Sequence, residues 1–339
     1  KMKKAFKVIA LVLSVVMMMA AFASCSGNDN KDETSTDAKS TDKTLKIGII
    51  QYMSHPSLDN CYQGIKEALD ASGLKFEIDY QTGSSASADS DCASFAKNMV
   101  AANVDMIFAI ATPAAKAAYN ATDDTDIPVI FCAVSDPVAA KLVQSSEVPG
   151  DKCTGTSDVL DLEAQVNMIM AMQPSVKKIG ILYTSSEDNS IANLARFKEV
   201  CEQKGVEVVP SAVQNASDIP SAADELASKV DCINNFTDNN VVNNLSVVLS
   251  AADKYKIPVY GSEEEQVKNG CLASVSIDYV ALGKATGQMG VDVLGGADIT
   301  KMAVKTITDA TPIVNTDVLE SLGMTLPAEY TSAQTVKTN

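Results

Sequence analysis

The stretch of sequence that decides the fold is LKIGIIQYMSHPSLDNCYQGIKEALDASG, residues 45–73. It opens with a short apolar run, LKIGII, that is typical of a β-strand. Apolar side chains then recur at helical spacing before Gly73, at Leu58, Cys61, Tyr62, Ile65 and Leu69. The stretch therefore predicts a strand followed by a helix, with a polar loop between them.

The same alternation of strand and helix continues along the chain. Strand-like runs follow at 76–80, 104–110 and 127–134. Helical apolar spacing separates them, as at Cys92, Phe95, Ala96, Met99 and Val100. A regular alternation of this kind predicts a parallel sheet whose two faces are covered by helices.

The second half of the chain repeats this pattern after Pro174. The run KIGIL at 178–182 echoes KIGII at 46–50, and IPV at 257–259 echoes IPV at 127–129. The predicted fold class is therefore α/β, with two doubly wound parallel-sheet lobes. A ligand is expected where the carboxyl ends of their strands face each other.

The size and charge of the chain restrict its function. After residue 44 the chain is long enough for about two domains of ~150 residues. The formal net charge of −16 disfavours binding to nucleic acid, whose phosphates would repel the chain. The cysteines other than Cys25 match no disulfide framework and no metal-binding spacing, so we interpret them as buried thiols.

The N-terminus has the pattern of a secretion signal, because lysines precede an apolar run at 5–23. The small residues before Cys25 resemble a bacterial lipobox, which implies a lipoprotein signal peptide at 1–24 and acylation of Cys25, for example with palmitate. Residues 25–44 are almost entirely polar and predict a flexible tether. The alternative is a transmembrane anchor, since the run approaches the ~20 residues of a spanning helix. Either interpretation places the rest of the chain outside the cell.

Enzymatic motifs are absent from the sequence. It contains no Walker A loop, no GxGxxG after a strand, no GxSxG elbow and no HExxH helix. His55 is the only histidine, which disfavours a histidine metal cluster or a Ser-His-Asp triad. We therefore expect no catalysis, no cofactor and no metal, and we interpret the glutamate run at 263–265 as a solvated face.

Polar side chains instead collect directly after the strands, where a small polar ligand would bind. Thr112 as N-cap and Pro113 after it form a strong helix start, whose free N–H groups suit a carboxylate. Plain capping explains Thr112 equally well. The other candidates at strand ends are Gln51, Tyr52, His55, Ser135, Asp136, Tyr183, Ser186, Asn189, Ser190, Asp238 and Asn239.

Together these segments resemble the ABC-transporter substrate-binding lipoproteins of the TrpX type, which have the type I periplasmic-binding-protein fold. The similarity covers essentially residues 45–327. It rests on QY at 51–52, HPSLD at 55–59, AIATPAA at 109–115, AVSDP at 133–137, TGTSD at 154–158, LY at 182–183, SSE at 185–187, NS at 189–190, TDN at 237–239, IDY at 277–279 and LG at 282–283. The resemblance implies two lobes joined by crossing strands, which close on an amino acid, notably an aromatic one, and then dock on a membrane permease.

The resemblance also implies roles for individual residues. By analogy, the α-carboxylate of the amino acid lies at Thr112 and Ala114. Asp238 or Asp278 holds the ammonium, because a charged group left unpaired in a closed cleft is costly. Candidate walls for the side chain of the ligand are Tyr52, Tyr183 and Tyr279. A further carboxyl within the matched segments is Asp158.

The expected organisation is a first lobe at 45–157 plus 278–301 and a second lobe at 158–277 plus 302–339. We expect the chain to act as a monomer, anchored by lipid on the extracellular face of the cell membrane, as the amino-acid receptor of an ABC importer. Two alternatives stay open. One is a sugar or nucleoside receptor, which usually stacks a ring between aromatic side chains, and the other is a ligand-sensing lipoprotein without transport.

Overall fold

The computed structural model describes residues 43–307 and 309–339, which belong to a single unit. The predicted signal peptide, Cys25 and the predicted tether up to residue 42 lie outside the described residues. Lys43 is the first described residue, and its Nζ atom lies 2.5 Å from Oδ1 of Asp105. A search of the described residues for a helix long and apolar enough to cross a membrane finds none.

Strands and helices alternate along the described chain. The strands are β1 (Leu45–Gln51), β2 (Phe76–Thr82), β3 (Met106–Ile110), β4 (Val129–Cys132), β5 (Cys153–Ser157), β6 (Lys178–Thr184), β7 (Glu207–Val213), β8 (Cys232–Asn234), β9 (Val259–Tyr260), β10 (Ala273–Ser276), β11 (Lys305–Thr306), β12 (Thr311–Asn315) and β13 (Gln334–Val336). The helices are α1 (Pro56–Ala71), α2 (Ala88–Ala101), α3 (Thr112–Ala121), α4 (Leu162–Met172), α5 (Asp188–Gln203), α6 (Ile219–Ala227), α7 (Asn239–Asn243), α8 (Leu245–Tyr255), α9 (Glu264–Lys268), α10 (Tyr279–Leu294) and α11 (Thr316–Ser321).

The sheet of the first lobe has the strand order β11-β5-β4-β3-β1-β2, and its neighbouring strands are parallel. Every residue of β3 and β4 is buried, as expected for strands covered by helices on both faces. Helix α1 packs against α10, and α2 packs against α3. The predicted parallel sheet is thus confirmed.

The second lobe contains a parallel sheet in the order β7-β6-β8-β9 and a smaller sheet, β10-β12-β13, in which β10 and β12 are antiparallel. Two apolar clusters form its core. In one of them the rings of Phe197 and Phe236 meet edge to face, with centroids 5.4 Å apart. The two similarly patterned halves of the sequence therefore fold as two α/β lobes, as predicted.

Within the described residues the chain passes between the lobes after β5, after β10 and after β11. The last crossing differs from the sequence expectation, which assigned 302–339 to the second lobe. Lys305 and Thr306 pair in parallel with Thr156 and Ser157, so β11 extends the first sheet and the chain crosses only after it. A strand this short carries no periodicity that the sequence could reveal.

Glycines bring α1 and α10 into close contact. A Cβ atom on Gly283 would lie 2.2 Å from the carbonyl oxygen of Cys61, and one on Gly64 would lie 2.2 Å from the carbonyl oxygen of Val280. Real Cβ atoms do not approach a backbone oxygen this closely, so only glycine fits at either position. The contact holds α1 and α10 against each other, and the N-terminal ends of both helices reach the space between the lobes.

The cysteines of the described residues are core residues. All of them are free and buried. Burial raises the pKa of Cys232 and of Cys271 well above its ordinary value, so these thiols stay protonated and unreactive. The interpretation of the cysteines as buried thiols is confirmed.

Candidate ligand-binding site

A cavity lies between the two lobes and is lined by residues of both. Its first-lobe wall comes from the loops that follow β1, β3 and β4 and from the starts of α1, α3 and α10, and Asp158 joins it where the chain leaves β5. Its second-lobe wall comes from the starts of α5 and α7 and from the residue before α9. The lining residues are His55, Ser57, Leu58, Ala111, Thr112, Ala133, Ser135, Asp158, Asn189, Thr237, Asn239, Val242, Glu263 and Tyr279.

Two helices of the first lobe begin at the cavity. Helices α1 and α3 start at Pro56 and Thr112, and neither has a side-chain cap. Thr112 is the first helical residue rather than the expected N-cap, which is Ala111, with a φ of 80° that is costly for any residue but glycine. First-turn N–H groups lack a partner within their helix and carry partial positive charge, so this wall suits a carboxylate.

Two buried carboxyl groups also line the cavity. Asp158 is 3% exposed and accepts hydrogen bonds from the hydroxyls of Ser135 at 2.9 Å and Tyr279 at 3.0 Å. Burial raises the pKa of Asp158, while these two donors oppose the rise. Glu263 accepts hydrogen bonds from two backbone amides in the first turn of α9, and burial raises its pKa to about 7. Among the described residues no lysine or arginine lines this cavity, so the two carboxyls favour a cationic ligand group.

Asn189 and Asn239 form the facing wall in the second lobe. Oε2 of Glu187 accepts hydrogen bonds from Nδ2 of Asn189 at 3.0 Å and from Nδ2 of Asn239 at 2.7 Å. Oδ1 of Asn239 lies 3.3 Å from Nε2 of His55, across the cleft. Because this Oδ1 can only accept, Nε2 of His55 carries the ring proton. Burial lowers the pKa of His55, so the ring is neutral and Nδ1 is an acceptor.

Polar atoms of the cavity wall have no hydrogen-bond partner within the protein. They include Nδ1 of His55, Oγ of Ser57, Oγ1 of Thr112, Oδ1 of Asn189 and Oγ1 of Thr237. Buried polar groups are nearly always paired, and an unpaired one costs about 1–3 kcal/mol. Since these atoms come from both lobes, a polar ligand held between the lobes can pair with them.

Two further side-chain contacts join the lobes. Nδ2 of Asn60 lies 3.5 Å from Oε1 of Glu265, and Nζ of Lys116 forms an ion pair with Oδ2 of Asp188. The side chains of Lys116 and Asp188 are 43% and 34% exposed, so this pair lies at the surface end of the cleft. The lobes are therefore closed over the cavity.

Several sequence-predicted residues do come together at this cavity. They are His55, Thr112, Ser135, Asp158, Asn189 and Asn239, joined by Tyr279 from the candidate walls. These residues lie on separate loops that meet only because the two lobes face each other.

The expected partners of an ammonium group, Asp238 and Asp278, do not line the cavity. The oxygens of Asp238 accept hydrogen bonds from the N–H and hydroxyl of Thr184, the hydroxyl of Ser190 and one amide of α7. Asp278 is exposed and caps the first turn of α10. Both carboxylates are thus occupied by structural hydrogen bonds.

Other predicted residues also lie away from the cavity wall. Gln51 is buried, and its side-chain amide donates to Asp59 at 2.6 Å and accepts from Tyr80 at 2.9 Å. Asp136 accepts a hydrogen bond from the backbone N–H of Ala139. The remaining predicted residues outside the lining are Tyr52, Pro113, Ala114, Tyr183, Ser186 and Ser190.

Glu263 is the clearest residue that the sequence analysis missed. The glutamate run at 263–265 predicts a solvated face, yet Glu263 is 2% exposed because it precedes α9 at the face that meets the first lobe. The sequence segments that carry the family resemblance also contain Ser57, Leu58 and Thr237. Their place in these segments is the signal that could have identified them as site residues.

Two α/β lobes with repeated chain crossings and a polar cavity between them define a solute-binding protein of the type I periplasmic-binding-protein fold. A family model described as ABC transporter substrate binding protein matches residues 46–337. The chain belongs to this family, whose members bind a small molecule outside the cell or in the periplasm and pass it to an ABC permease.

Named relatives place the chain near amino-acid receptors. It is 36% identical over 328 residues to the tyrosine-binding protein of Clostridioides difficile strain R20291, covering 95% of this chain and 94% of that protein. A crystal structure of an ABC domain from Streptococcus pneumoniae in complex with L-Trp is 38% identical, with a TM-score of 0.83, covering 87% of this chain and 100% of that chain.

A second solved structure helps to define the conformation. The ligand-free, open structure of a substrate-binding protein with adhesive properties from Clostridium difficile is 37% identical and covers the same shares of the two chains, 87% and 100%. Its TM-score is only 0.66, against 0.83 for the L-Trp complex. Because the identities are nearly equal, the difference agrees with the closed arrangement of the lobes described above.

Proposed function

We propose that this protein captures an aromatic L-amino acid outside the cell, by binding and without catalysis, for uptake through an ABC importer. The observation that carries the proposal is the pairing of opposite electrostatic features in one closed cavity. Asp158 supplies a buried negative group, and the uncapped start of α3 supplies partial positive charge. A zwitterionic α-amino acid carries the two complementary charges.

In this proposal Asp158 holds the ammonium group. Ser135 and Tyr279 each donate one hydrogen bond to its oxygens, which leaves further lone pairs on both. A buried carboxylate with no cationic partner is costly, and the ammonium would supply that partner. Glu263 adds acidic character from the second lobe.

The start of α3 holds the α-carboxylate. The first-turn N–H groups of Thr112 and Ala114 can donate to it, as can the hydroxyl of Thr112, which has no partner within the protein. This hydroxyl caps no backbone amide of α3, so plain capping no longer explains the residue. The proposed role of Thr112 agrees with the one implied by the family resemblance.

Relatives support an aromatic side chain on the ligand. The Clostridioides difficile relative is named a tyrosine-binding protein, and the Streptococcus pneumoniae structure contains L-Trp. Apolar surface lies on several sides of the cavity and suits a flat side chain, from Leu58, Ala111, Ala133, Val242 and Tyr279.

We also propose that the protein is a lipid-anchored monomer on the extracellular face of the membrane. The support is the signal-like run at 1–24, the lipobox-like Cys25 and the polar tether at 25–44. Substitution Cys25→Ser should abolish incorporation of labelled palmitate and release the protein into the medium. Retention of the variant in the membrane would favour the transmembrane alternative.

Thermal unfolding with candidate ligands tests the proposed function. L-tyrosine, L-tryptophan and L-phenylalanine are compared with L-alanine, D-glucose and adenosine. A ligand present at a hundred times its Kd stabilises the folded state by about 2.7 kcal/mol, which raises the melting temperature by several degrees. We expect a rise with at least one aromatic amino acid. Stabilisation by D-glucose or adenosine alone would refute the proposal.

A further inference from the structure

Glu187 is a buried carboxyl that lies directly behind the cavity and does not line it. It is 1% exposed, in the loop between β6 and α5. Its Oε2 atom accepts the side-chain N–H groups of Asn189 and Asn239, at 3.0 and 2.7 Å, and the backbone N–H of Asn239 at 3.2 Å. Its Oε1 atom has no hydrogen-bond partner within the protein.

These contacts decide which way the two asparagine amides face. An amide whose NH₂ group donates to Glu187 must turn its carbonyl oxygen away from Glu187. Oδ1 of Asn239 accordingly meets His55, and Oδ1 of Asn189 is left without a protein partner although Asn189 lines the cavity. Glu187 therefore sets two acceptor oxygens on the ligand side of the wall.

The surroundings of Glu187 disfavour a negative charge. Asp238 is fully buried beside it and already accepts hydrogen bonds at both oxygens. Among the salt bridges of the described residues, none involves Glu187 or Asp238. Burial and the neighbouring Asp238 raise the pKa of Glu187 to about 8, which its hydrogen-bond donors only partly offset.

Other titratable groups around this pair do not supply a positive charge. Tyr52 of the first lobe lies close enough to interact with Glu187 and with Asp89, and both carboxyls raise its pKa. His55, which reaches Asn239, is neutral. Lys116 crosses the cleft but pairs with Asp188, the residue next to Glu187 in the chain.

We propose that Glu187 is a positioning residue that orients the Asn189 and Asn239 amides toward the ligand, and that it does so as the protonated acid. The proton resides on Oε1, the oxygen that accepts no hydrogen bond, while Oε2 keeps its N–H donors. The proposal rests on the proposed function only in taking the cavity as the ligand site.

The substitution Glu187→Gln imitates the protonated acid, because its carbonyl oxygen can accept the asparagine donors and it carries no charge. Glu187→Ala removes the carboxyl that both amides share, and leaves the Asn189 amide only its longer contacts with Thr237 and Ser190. The matched control is Glu199→Gln, an exposed carboxyl on α5. Far-UV circular dichroism establishes that each variant is folded before it is compared.

Ligand-free unfolding tests the protonation. A carboxyl whose pKa is raised on folding binds its proton more tightly in the folded state, so stability falls as pH rises from about 4.5, its ordinary value, to about 8. The melting temperature should therefore fall less steeply across this range in Glu187→Gln than in the wild type or Glu199→Gln. Identical slopes in all three proteins would overturn the protonation.

Titration calorimetry with L-tyrosine, or with L-tryptophan if that ligand binds instead, tests the positioning. We expect Glu187→Gln to keep Kd within about twofold and Glu187→Ala to raise it about 5- to 150-fold. Equal affinity in the wild type and Glu187→Ala would overturn the positioning role. If neither amino acid binds the wild type, the proposed function fails, while the ligand-free unfolding still decides whether Glu187 is protonated.

Discussion

Replacing Asp158 with asparagine should sharply weaken amino-acid binding. The substitution keeps the shape of the side chain but removes the buried negative charge that faces the proposed ammonium. Truncating one partner of a buried, hydrogen-bonded charge pair costs about 2–5 kcal/mol. Kd should therefore rise about 30- to 4,000-fold. Because burial raises the pKa of Asp158, the wild type should also lose affinity as pH falls through that raised value, whereas Asp158→Asn should lack this dependence.

Titration calorimetry with L-tyrosine and L-tryptophan measures both effects, and thermal unfolding establishes that the variant is folded. The matched control is Asp278→Asn, since Asp278 is exposed and caps α10, and asparagine caps a helix about as well as aspartate. Its Kd should stay within about twofold of the wild type. Wild-type affinity in Asp158→Asn, together with weakened binding in Asp278→Asn, would refute the reasoning and restore the ammonium partner implied by the family resemblance.

Three further substitutions test the closure, the packing and the electrostatics of the lobes. Lys116→Ala should speed ligand dissociation about 1.4- to 5-fold in stopped-flow fluorescence, because a partly exposed ion pair contributes about 0.2–1 kcal/mol. The effect should shrink in high salt. An unchanged dissociation rate at low salt would exclude a role of this ion pair in closure. Gly283→Ala should lower the free energy of unfolding in urea by about 1–3 kcal/mol, since its Cβ would lie 2.2 Å from the carbonyl oxygen of Cys61. The control Gly296→Ala has open space around its Cβ and therefore tests only the strain of a positive φ. Glu263→Gln should make the melting temperature less sensitive to pH between about 4.5 and about 7, because the raised pKa of Glu263 destabilises the folded state as pH rises through that range. A melting temperature that changes with pH as steeply as in the wild type would contradict this prediction.

The fold was predictable from the sequence because its signal is local and repeated. Alternating strand and helix patterns, such as β1 followed by α1, recur often enough to identify two parallel α/β lobes. The late crossing after β11 was not predictable, because pairing of Lys305 with Thr156 joins residues far apart in the chain and leaves no periodicity. Topology of that kind is set by tertiary contacts.

The site was predictable in position but only partly in its residues. The loops after strands do meet in the structure, and the strand-end pattern selected Asn189, whereas Asp158 came from the family resemblance. Asp238 follows β8 in the same way, yet Thr184 and Ser190, about fifty positions earlier, occupy its oxygens. Whether a carboxylate faces a ligand or its own scaffold depends on such distant donors, which spacing in the sequence does not reveal.

The role of a polar residue inside the second sheet also depends on hydrogen-bond partners that are distant in the sequence. Asn234 lies in β8, where an apolar side chain is usual, and its Oδ1 accepts a hydrogen bond from Gln165 at 2.9 Å. Gln165 also donates to the carbonyl oxygen of Gly261 and accepts from the backbone N–H of Val275. The side-chain amide of Gln165 on α4 thereby links three segments of the second lobe. Asn234 belongs to this buried hydrogen-bond network and has no contact with the ligand cavity.

Closure of the lobes should depend on the ligand, because the contacts between the lobes are weak and the cavity wall contains polar atoms that have no partner within the protein. The Lys116–Asp188 pair is partly exposed, and the His55–Asn239 contact is 3.3 Å long. Against these, the unpaired polar atoms of the cavity wall each cost about 1–3 kcal/mol when closed away from water. A ligand that pairs with atoms of both lobes removes this cost only in the closed form. Its differential affinity therefore shifts the population from open to closed, and an amino acid reaching only one lobe would bind without closing the protein.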